Sequence, residues 1–416
     1  MQSQWIQVNL SPGFPPVDRI CPHSGSGGPP MSRRNRSSTI NPKHINIVHA
    51  VAKTVRNLFL LGDGLTCDDV YAHRRDWVFS IMEFQASLMA LDVLDFAIMS
   101  NHLHFVLRTR PDIVKLLDNK EVARRWLTLC PRSKKRSVLD GKVIYEPRPP
   151  RDCDISQLAK DKARIKKIRE QLSSVSWWMR LLCQKVAQRA NFEDGLSLGH
   201  FFKGRFHSTL INDEAHLLAC SVYVDLNAIK AAMSETLDGY KYTSASVRIE
   251  QIRLRHQASL LAQRESSADS CPSDTKPSDT GGPPGQGESP KQKIRSRRAE
   301  FLSPIRIQTL AHDPELHKDG FRCSDKGFLD MTQTEYIDLL QWCVRNKITK
   351  KGQENTSALP ECLTKRGIDA QLWICQIRDF EGMYRYQAGL KPASSNGTQS
   401  ESNPGGPAGG PTDKPL

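Results

Sequence analysis

Short apolar runs alternate along the first half of the chain with longer segments whose apolar residues recur every three or four positions. Residues 44–51 (HINIVHAV) are rich in β-branched side chains and predict a strand. Residues 72–90 predict an amphipathic helix. Residues 93–99 and 102–109 are two strand-like runs joined by a Ser-Asn pair, which indicates a β-hairpin. The apolar face of the predicted helix comprises Trp77, Ile81, Phe84 and Leu88.

Helical periodicity dominates after the hairpin. Pro111 predicts the first turn of a helix through PDIVKLLDNKEVARRWL, because proline is favoured at that position. Residues 200–211 predict an extended segment, and Asp213 begins a predicted helix that runs to about Met233. Between them, an apolar stripe predicts another helix. This stripe consists of Val175, Trp178, Leu182 and Val186. Since consecutive strands can pair antiparallel, the order of elements predicts an α+β fold, an antiparallel sheet with helices packed on one face.

Composition divides the chain into five predicted segments. Residues 1–40 form a Gly/Pro/Ser-rich basic arm, 263–295 a flexible linker and 393–416 a disordered tail, because none has enough apolar residues to bury a core. The ordered parts are a domain at 41–262 and a mostly helical extension at 296–392, to which the sequence assigns no role. Residues 265–292 and the tail after about residue 392 are expected to be dispensable for the activity of the first domain.

The overall charge points to a polyanionic partner. With 59 Lys and Arg against 45 Asp and Glu, the formal net charge is +14. No apolar run reaches the roughly 18 to 20 residues of a membrane helix, so no membrane partner is expected. None of the eleven cysteines forms a CxxC pair with another, so the sequence indicates neither a zinc knuckle nor a disulfide framework. A soluble intracellular protein is favoured.

The pair His102 and His104 is the first candidate for chemistry. On a strand, residues i and i+2 point to the same face, so the two imidazoles could chelate one divalent cation. The alternative is a pair of partly exposed histidines without a ligand, because short motifs often match by chance.

The helix predicted after Asp213 carries a second candidate. Tyr223, Asn227 and Lys230 follow the spacing i, i+4 and i+7 and therefore share a face beside the apolar stripe of the helix. A phenol, a carboxamide and an ammonium aligned at the edge of a packed face suggest a reactive site. The alternative is a surface tyrosine that only covers the edge of that apolar face.

Three segments in this order resemble a known family. MSNHLHFVL (99–107) resembles the histidine–hydrophobic–histidine segment of the single-tyrosine HUH transposases. YVDLNAIKAAM (223–233) resembles the YxxxNPxRAG segment of the REP-associated tyrosine transposase branch, and residues 199–219 resemble the W/F-x-G-R-F stretch that precedes it there. The resemblance spans about residues 44–250. Ala228 and Lys230 stand where that branch usually has proline and arginine.

The resemblance implies a ferredoxin-like core and a metal-dependent tyrosine mechanism. His102 and His104 would bind Mg²⁺ or Mn²⁺ with Asn227 as the third protein ligand. Tyr223 would attack single-stranded or hairpin DNA and form a 5′-phosphotyrosine, which can be rejoined without ATP. The family setting implies a cytoplasmic, nucleoid-associated protein of a prokaryote, and a homodimer is left open. Basic residues near the motifs are candidates for DNA contacts: Arg108, Lys203, Arg205 and Lys230.

Two other functions remain compatible with the same residues. One is a non-cleaving, domesticated DNA-binding regulator on the same fold. The other is a metal-dependent hydrolytic nuclease in which the two histidines serve a metal that activates water and Tyr223 is structural. The sequence further predicts that His102 and His104 face the same way and lie within metal-bridging reach of Asn227.

Overall fold

The fold is built around a five-stranded sheet. A computed structural model describes residues 40–62, 70–139, 142–268, 300–307, 316–317, 319–346, 360–368, 370–384 and 386–389. The strands are β1 (Ile47–Lys53), β2 (Leu91–Ile98), β3 (His102–Thr109), β4 (Lys134–Leu139), β5 (Lys142–Pro147), β6 (His207–Ile211) and β7 (Gln387–Ala388).

The main sheet has five strands in the order β2-β3-β1-β6-β7. The first four are antiparallel to their neighbours, and β7 is parallel to β6. Because β1, β3 and β2 precede β6 with helices between them, the connectivity is that of a ferredoxin-like fold with one extra edge strand. The predicted α+β class is therefore confirmed. The short strands β4 and β5 form a separate hairpin.

Helices fill the segments between and after these strands. They are α1 (His73–Leu88), α2 (Pro111–Leu116), α3 (Asn119–Leu129), α4 (Asp152–Lys160), α5 (Lys162–Leu172), α6 (Val175–Glu193), α7 (Glu214–Asp225), α8 (Asn227–Lys230), α9 (Ser244–Ala268), α10 (Gln333–Arg345), α11 (Glu361–Thr364), α12 (Ala370–Arg378) and α13 (Phe380–Met383). The described part of 296–392 contains helices α10 to α13 and the short strand β7, and less than half of it is helical, whereas the sequence predicted a mostly helical extension.

Helices cover both faces of the sheet, whereas the sequence predicted helices on one face. Phe96 and Phe105 are paired across β2 and β3, and Phe96 contacts Phe79 of α1. His104 is the neighbour of Phe105 along β3 and therefore points to the opposite face, where its ring contacts Tyr223 of α7. The expectation was incomplete because β2 and β3 are buried on both sides, which alternation alone does not reveal.

The buried face of α1 differs from the predicted face. Val78, Phe79 and Met82 are buried, while Phe84 is 38% exposed and Trp77 is half-buried. The rings of Trp77 and Phe84 lie at the seam with α6, where Arg189 and Lys185 cover them. A cation over an aromatic ring is favourable at the surface, so these rings need not enter the core. By contrast, the predicted stripe of α6 is entirely buried.

Two predicted helices are interrupted in the structure. The helix that begins at Pro111 ends at Leu116, and α3 begins after Asp118, whose side chain accepts the Glu121 amide as an N-cap. The helix that begins after Asp213 ends at Asp225, and α8 follows it. The hairpin of β2 and β3 is confirmed.

The extension (residues 296–392), called the second block below, packs directly on the domain at 41–262, called the first block, and supplies hydrogen-bond partners to buried charged side chains of that domain. Arg108 donates to Asp92 and to the carbonyls of Lys326 and Gly327, and Ser324 also donates to Asp92. Asp92 has no exposed surface. A buried carboxylate is tolerated only when donors surround it, so the segment around Ser324 is needed for this charge.

The predicted arm and tail lie outside the described residues, apart from Ile40 at the edge of the arm. Most of the predicted linker lies outside them too, although α9 continues to Ala268. Within the described part of the chain, no helix combines the length and the apolar character that crossing a bilayer requires.

Asp225 gives a testable pH dependence of stability. Its carboxylate accepts the Ala245 amide and the Tyr336 hydroxyl, both at 2.8 Å. Burial, reinforced by the charge of Asp95, raises the pKa of Asp225 to about 7. An unfolded aspartate has a pKa of about 3.9, so the folded chain holds an extra proton between about pH 4 and pH 7. The free energy of unfolding should therefore fall as the pH rises through this range.

We expect Asp225→Asn to make this fall clearly smaller, while Asp95, whose pKa burial also raises, keeps part of it. Urea unfolding of both proteins at several pH values between about 4 and 8 measures it. Asp338→Asn, at an exposed position of α10, is the control and should keep the wild-type slope. An unchanged slope in Asp225→Asn would show that another group carries the proton.

Candidate functional site

Three histidines lie on one face of the central strands. His102 and His104 are two residues apart on β3, and their ring centroids are 4.8 Å apart, so they face the same way as predicted. In the register of β1 and β3, His102 lies opposite Lys53 and His104 opposite Val51. His49 is two residues before Val51 and therefore points to the same face.

Each histidine of the predicted motif has its Nδ1 atom engaged. His104 Nδ1 is 3.0 Å from His49 Nε2, and the planes of the two rings are nearly parallel. His102 Nδ1 is 2.6 Å from Asn101 Oδ1. The Nε2 atom of His104 is buried and has no hydrogen-bond partner. An imidazole held through one ring nitrogen, with the other nitrogen free, has the arrangement of a metal ligand with its supporting group.

Burial keeps these rings neutral. It lowers the pKa of His49 and of His102 to about 4, and it lowers the pKa of His104 well below the ordinary value. The positive charge of Lys53 acts in the same direction on all three rings. Neutral imidazole is the form that ligates a cation, so the two predicted ligands are in the required state near neutral pH.

Helix α7 carries Tyr223 to this face of the sheet. The helix begins where Asp213 accepts the His216 amide at 2.9 Å, and every residue from Leu217 to Asp225 is buried. The Tyr223 ring meets the rings of His104 and His49 edge-on, with centroid distances of 5.8 Å and 6.0 Å. The predicted nucleophile and the predicted histidines are therefore neighbours.

The other two residues of the predicted stripe lie beside Tyr223. Asn227 Nδ2 donates to the Tyr223 carbonyl at 3.0 Å and to the Val224 carbonyl at 3.4 Å. The opposite end of this amide is Oδ1, the atom that could bind a cation. Lys230 Nζ lies 3.9 Å from the Tyr223 ring centroid and donates to the Arg378 carbonyl. That Asn227 joins the histidines around one ion stays a prediction.

The second block contributes two residues that the sequence did not predict. Phe380 is fully buried and packs against the rings of Tyr223 and His49. Glu381 Oε2 pairs with Lys53 Nζ at 3.0 Å, and Glu381 Oε1 accepts the Tyr223 hydroxyl at 3.4 Å and lies 3.7 Å from His104 Nδ1. We refer to residues 379–384 as the covering segment.

The covering segment changes the electrostatics of the tyrosine. Burial, followed by the charge of Glu381, raises the pKa of Tyr223 above its ordinary value. Burial also opposes the ionisation of Glu381, but the nearby His49 imidazole and the pairing with Lys53 outweigh it and lower the pKa of Glu381. Tyr223 is thus a protonated phenol next to a carboxylate, with 6% of its surface exposed.

The four predicted DNA-contact residues differ in their environments, and Lys230 lies over the Tyr223 ring, where it donates to the Arg378 carbonyl. Arg108 is buried and bound to Asp92 and to two carbonyls, so it is not available for the predicted contact. Lys203 and Arg205 are exposed, and the Lys203 amide donates to the Lys53 carbonyl at 2.7 Å. These two residues lie at the end of β1 that also carries the site.

Among the described residues, no group of three or more His, Cys, Asp or Glu side chains is arranged to hold a metal ion. The predicted ligand set, two histidines and one amide, contains only two residues of these types, so this observation does not bear on it. The residues fit a cation in one respect: His104 has a buried Nε2 atom without a partner. Such an atom costs free energy unless something binds it.

Comparisons with protein-family models, with curated proteins and with solved structures give no match. The resemblance to a transposase family therefore rests on the residues of this chain alone.

The unpartnered nitrogen predicts metal binding without DNA. We expect the purified protein to bind one Mn²⁺ per chain and His104→Ala to weaken this binding more than tenfold, because it removes one of two imidazole ligands. Electron paramagnetic resonance of free Mn²⁺ during titration measures the affinity.

The control is His73→Ala. His73 is an exposed histidine of α1 that pairs with Glu193, away from the sheet face of His104. If both variants bind Mn²⁺ like the wild type, the histidine pair is not a metal site.

Proposed function

We propose that the chain is a metal-dependent DNA transposase or nickase of the single-tyrosine type, which cleaves and rejoins single-stranded or hairpin DNA. One observation carries this proposal: Tyr223 packs against His104, whose Nε2 atom is buried without a partner. A nucleophile beside neutral imidazoles is the combination that metal-assisted phosphoryl transfer by a tyrosine requires.

His102, His104 and the Oδ1 atom of Asn227 would hold a Mg²⁺ or Mn²⁺ ion. When bound, such an ion withdraws charge from a phosphate oxygen and orients the phosphate. The Tyr223 oxygen loses its proton to solvent and forms a bond to phosphorus. The bond from phosphorus to the 3′ oxygen breaks, and that oxygen takes up a proton. The product is a 5′-phosphotyrosine and a free 3′-OH, which can attack in the reverse direction.

Positive charge at the end of β1 supports a phosphate backbone as the partner. Lys53 lies opposite His102, and exposed Lys203 and Arg205 follow in the adjoining loop. Contacts from Lys and Arg to phosphates position a strand without reading its sequence. The net charge of +14 acts in the same sense at longer range.

The covering segment must move before the reaction. A phosphate can reach the Tyr223 oxygen only when Phe380 and Glu381 leave it, because both contact the tyrosine in this structure. Their departure would also remove the main causes that keep the phenol protonated, burial and the charge of Glu381. The closed arrangement is therefore the resting state in this proposal.

Tyr223→Phe is the direct test of the nucleophile. The variant removes one oxygen and keeps the ring that packs against His49 and His104. We expect it to bind hairpin DNA and Mn²⁺ like the wild type but to form no covalent protein–DNA adduct and no nicked strand. Denaturing gels of a labelled hairpin with Mg²⁺ or Mn²⁺ detect both products.

Tyr242→Phe is the matched control. Tyr242 is as buried as Tyr223 but packs beside Arg75 of α1, and its variant should keep the adduct. Nicking by Tyr223→Phe without an adduct would support the hydrolytic nuclease. DNA binding without cleavage by the wild type would support the regulator. An adduct formed by Tyr223→Phe would overturn the assignment of the nucleophile.

Glu381→Gln tests whether the covering segment restrains the tyrosine. It removes a negative charge next to Tyr223 and the partner of Lys53 while keeping the size of the side chain. We expect adduct formation to become several-fold faster, because the pKa of Tyr223 falls and the segment is held less tightly.

Glu361→Gln, an exposed position in the same block that pairs with Lys365, should leave the rate unchanged. A slower rate in Glu381→Gln with normal DNA binding would instead make Glu381 a participant in proton transfer. The same gel assay at short reaction times separates these outcomes.

A further inference from the structure

His49 is the one histidine of the site that the proposed mechanism does not use. It lies on β1, is fully buried, and meets His104 through a nitrogen–nitrogen contact of 3.0 Å. Its own Nδ1 atom is buried and has no hydrogen-bond partner. A buried imidazole that makes a single polar contact, directed at a predicted ligand, needs an explanation beyond packing.

The contact can exist in two proton arrangements, because each neutral ring carries one proton. In the first, His104 donates its Nδ1–H to His49 Nε2, which leaves a lone pair on His104 Nε2. In the second, His49 donates its Nε2–H to His104 Nδ1, and His104 Nε2 then carries a hydrogen. Only the first arrangement allows His104 Nε2 to bind a cation.

His102 shows the same arrangement with a different partner. Its Nδ1 atom lies 2.6 Å from Asn101 Oδ1, an atom that can only accept. His102 Nδ1 therefore carries the hydrogen, and the lone pair is on Nε2. For the two histidines to offer equivalent nitrogens to one ion, His104 must be protonated on Nδ1 as well.

We propose that His49 is a positioning residue that accepts the Nδ1–H of His104 and thereby fixes both the ring plane and the proton of this ligand. The proposal rests on the metal site of the proposed function and deepens it. His49 acts through His104 and does not touch the ion. Removing a supporting partner of this kind typically weakens metal binding by about ten- to hundredfold.

A packing role for His49 is the competing explanation. Its ring also meets Tyr223 and Phe380 edge-on, with centroid distances of 6.0 Å to each. Two replacements of similar size separate the two roles. His49→Gln keeps a hydrogen-bond acceptor near the position of Nε2, whereas His49→Leu fills the space without one.

The first measurement needs no metal. Protein labelled with ¹⁵N in its histidine rings reports which nitrogen of each ring carries the proton, and the His104 signal is identified by its loss in His104→Gln. We expect the wild type and His49→Gln to show His104 protonated on Nδ1. His49→Leu should show a mixture of both ring forms or the Nε2-protonated form.

The second measurement is the Mn²⁺ affinity by electron paramagnetic resonance. We expect His49→Leu to bind Mn²⁺ about ten- to hundredfold more weakly than the wild type and His49→Gln to recover most of this loss. His73→Leu is the control, since His73 is an exposed residue of α1 that pairs with Glu193, away from the sheet face of His104. It should bind like the wild type.

The outcomes keep the two proposals apart. Equal ring forms in the wild type and in His49→Leu would overturn the role of His49, whatever the Mn²⁺ affinity. Equal loss in the Leu and Gln variants would make His49 a packing residue. If the ring form changes as expected but no protein binds Mn²⁺, the positioning contact stands while the metal-dependent function fails.

Discussion

The antiparallel pairing of β1 with β3 is the interaction on which the site depends. Its register sets His102 opposite Lys53 and His104 opposite Val51, and so it brings His49 within hydrogen-bond distance of His104. A slip of one residue would turn the side chains of the shifted strand to the other face. Residues that lie far apart in the sequence thus become one cluster through backbone hydrogen bonds alone.

Buried charge ties the second block to this sheet. Asp92 on β2 is bonded by Ser324, and Asp225 on α7 by Tyr336, so two carboxylates of the first block have donors in the second. Losing a partner from a buried carboxylate costs several kcal/mol, which gives the block a defined position. The covering segment reaches Tyr223 because α12 and β7 are anchored on the same framework, the latter on β6. The predicted helical extension is therefore part of the structure around the site.

Local patterns were sufficient for the hairpin, for the buried stripe of α6 and for the common face of His102 and His104. These features depend on neighbours within a few residues, where periodicity and turn chemistry act. The buried face of α1 was misjudged because Trp77 and Phe84 are covered by cations of α6, a tertiary contact. His49 could have been found from its place in an alternating strand, but its role requires the register with β3. Nothing local indicates that Glu381 meets the tyrosine, because that contact depends on how the second block packs.

Burial affects the two halves of the site in opposite ways. It keeps His102 and His104 neutral, which favours a cation, and it keeps the Tyr223 phenol protonated and out of reach, which opposes attack. A single static environment cannot satisfy both requirements. The histidines are held by the sheet strands β1 and β3, whereas Phe380 and Glu381, which contact Tyr223 and the histidines, belong to a short helix between α12 and β7. Movement of this covering segment could expose the tyrosine while the sheet keeps the histidines in place. In the proposed function, the division of the site between a sheet and a separate covering segment would let the sheet hold the two histidines while the segment releases Tyr223 when a strand binds.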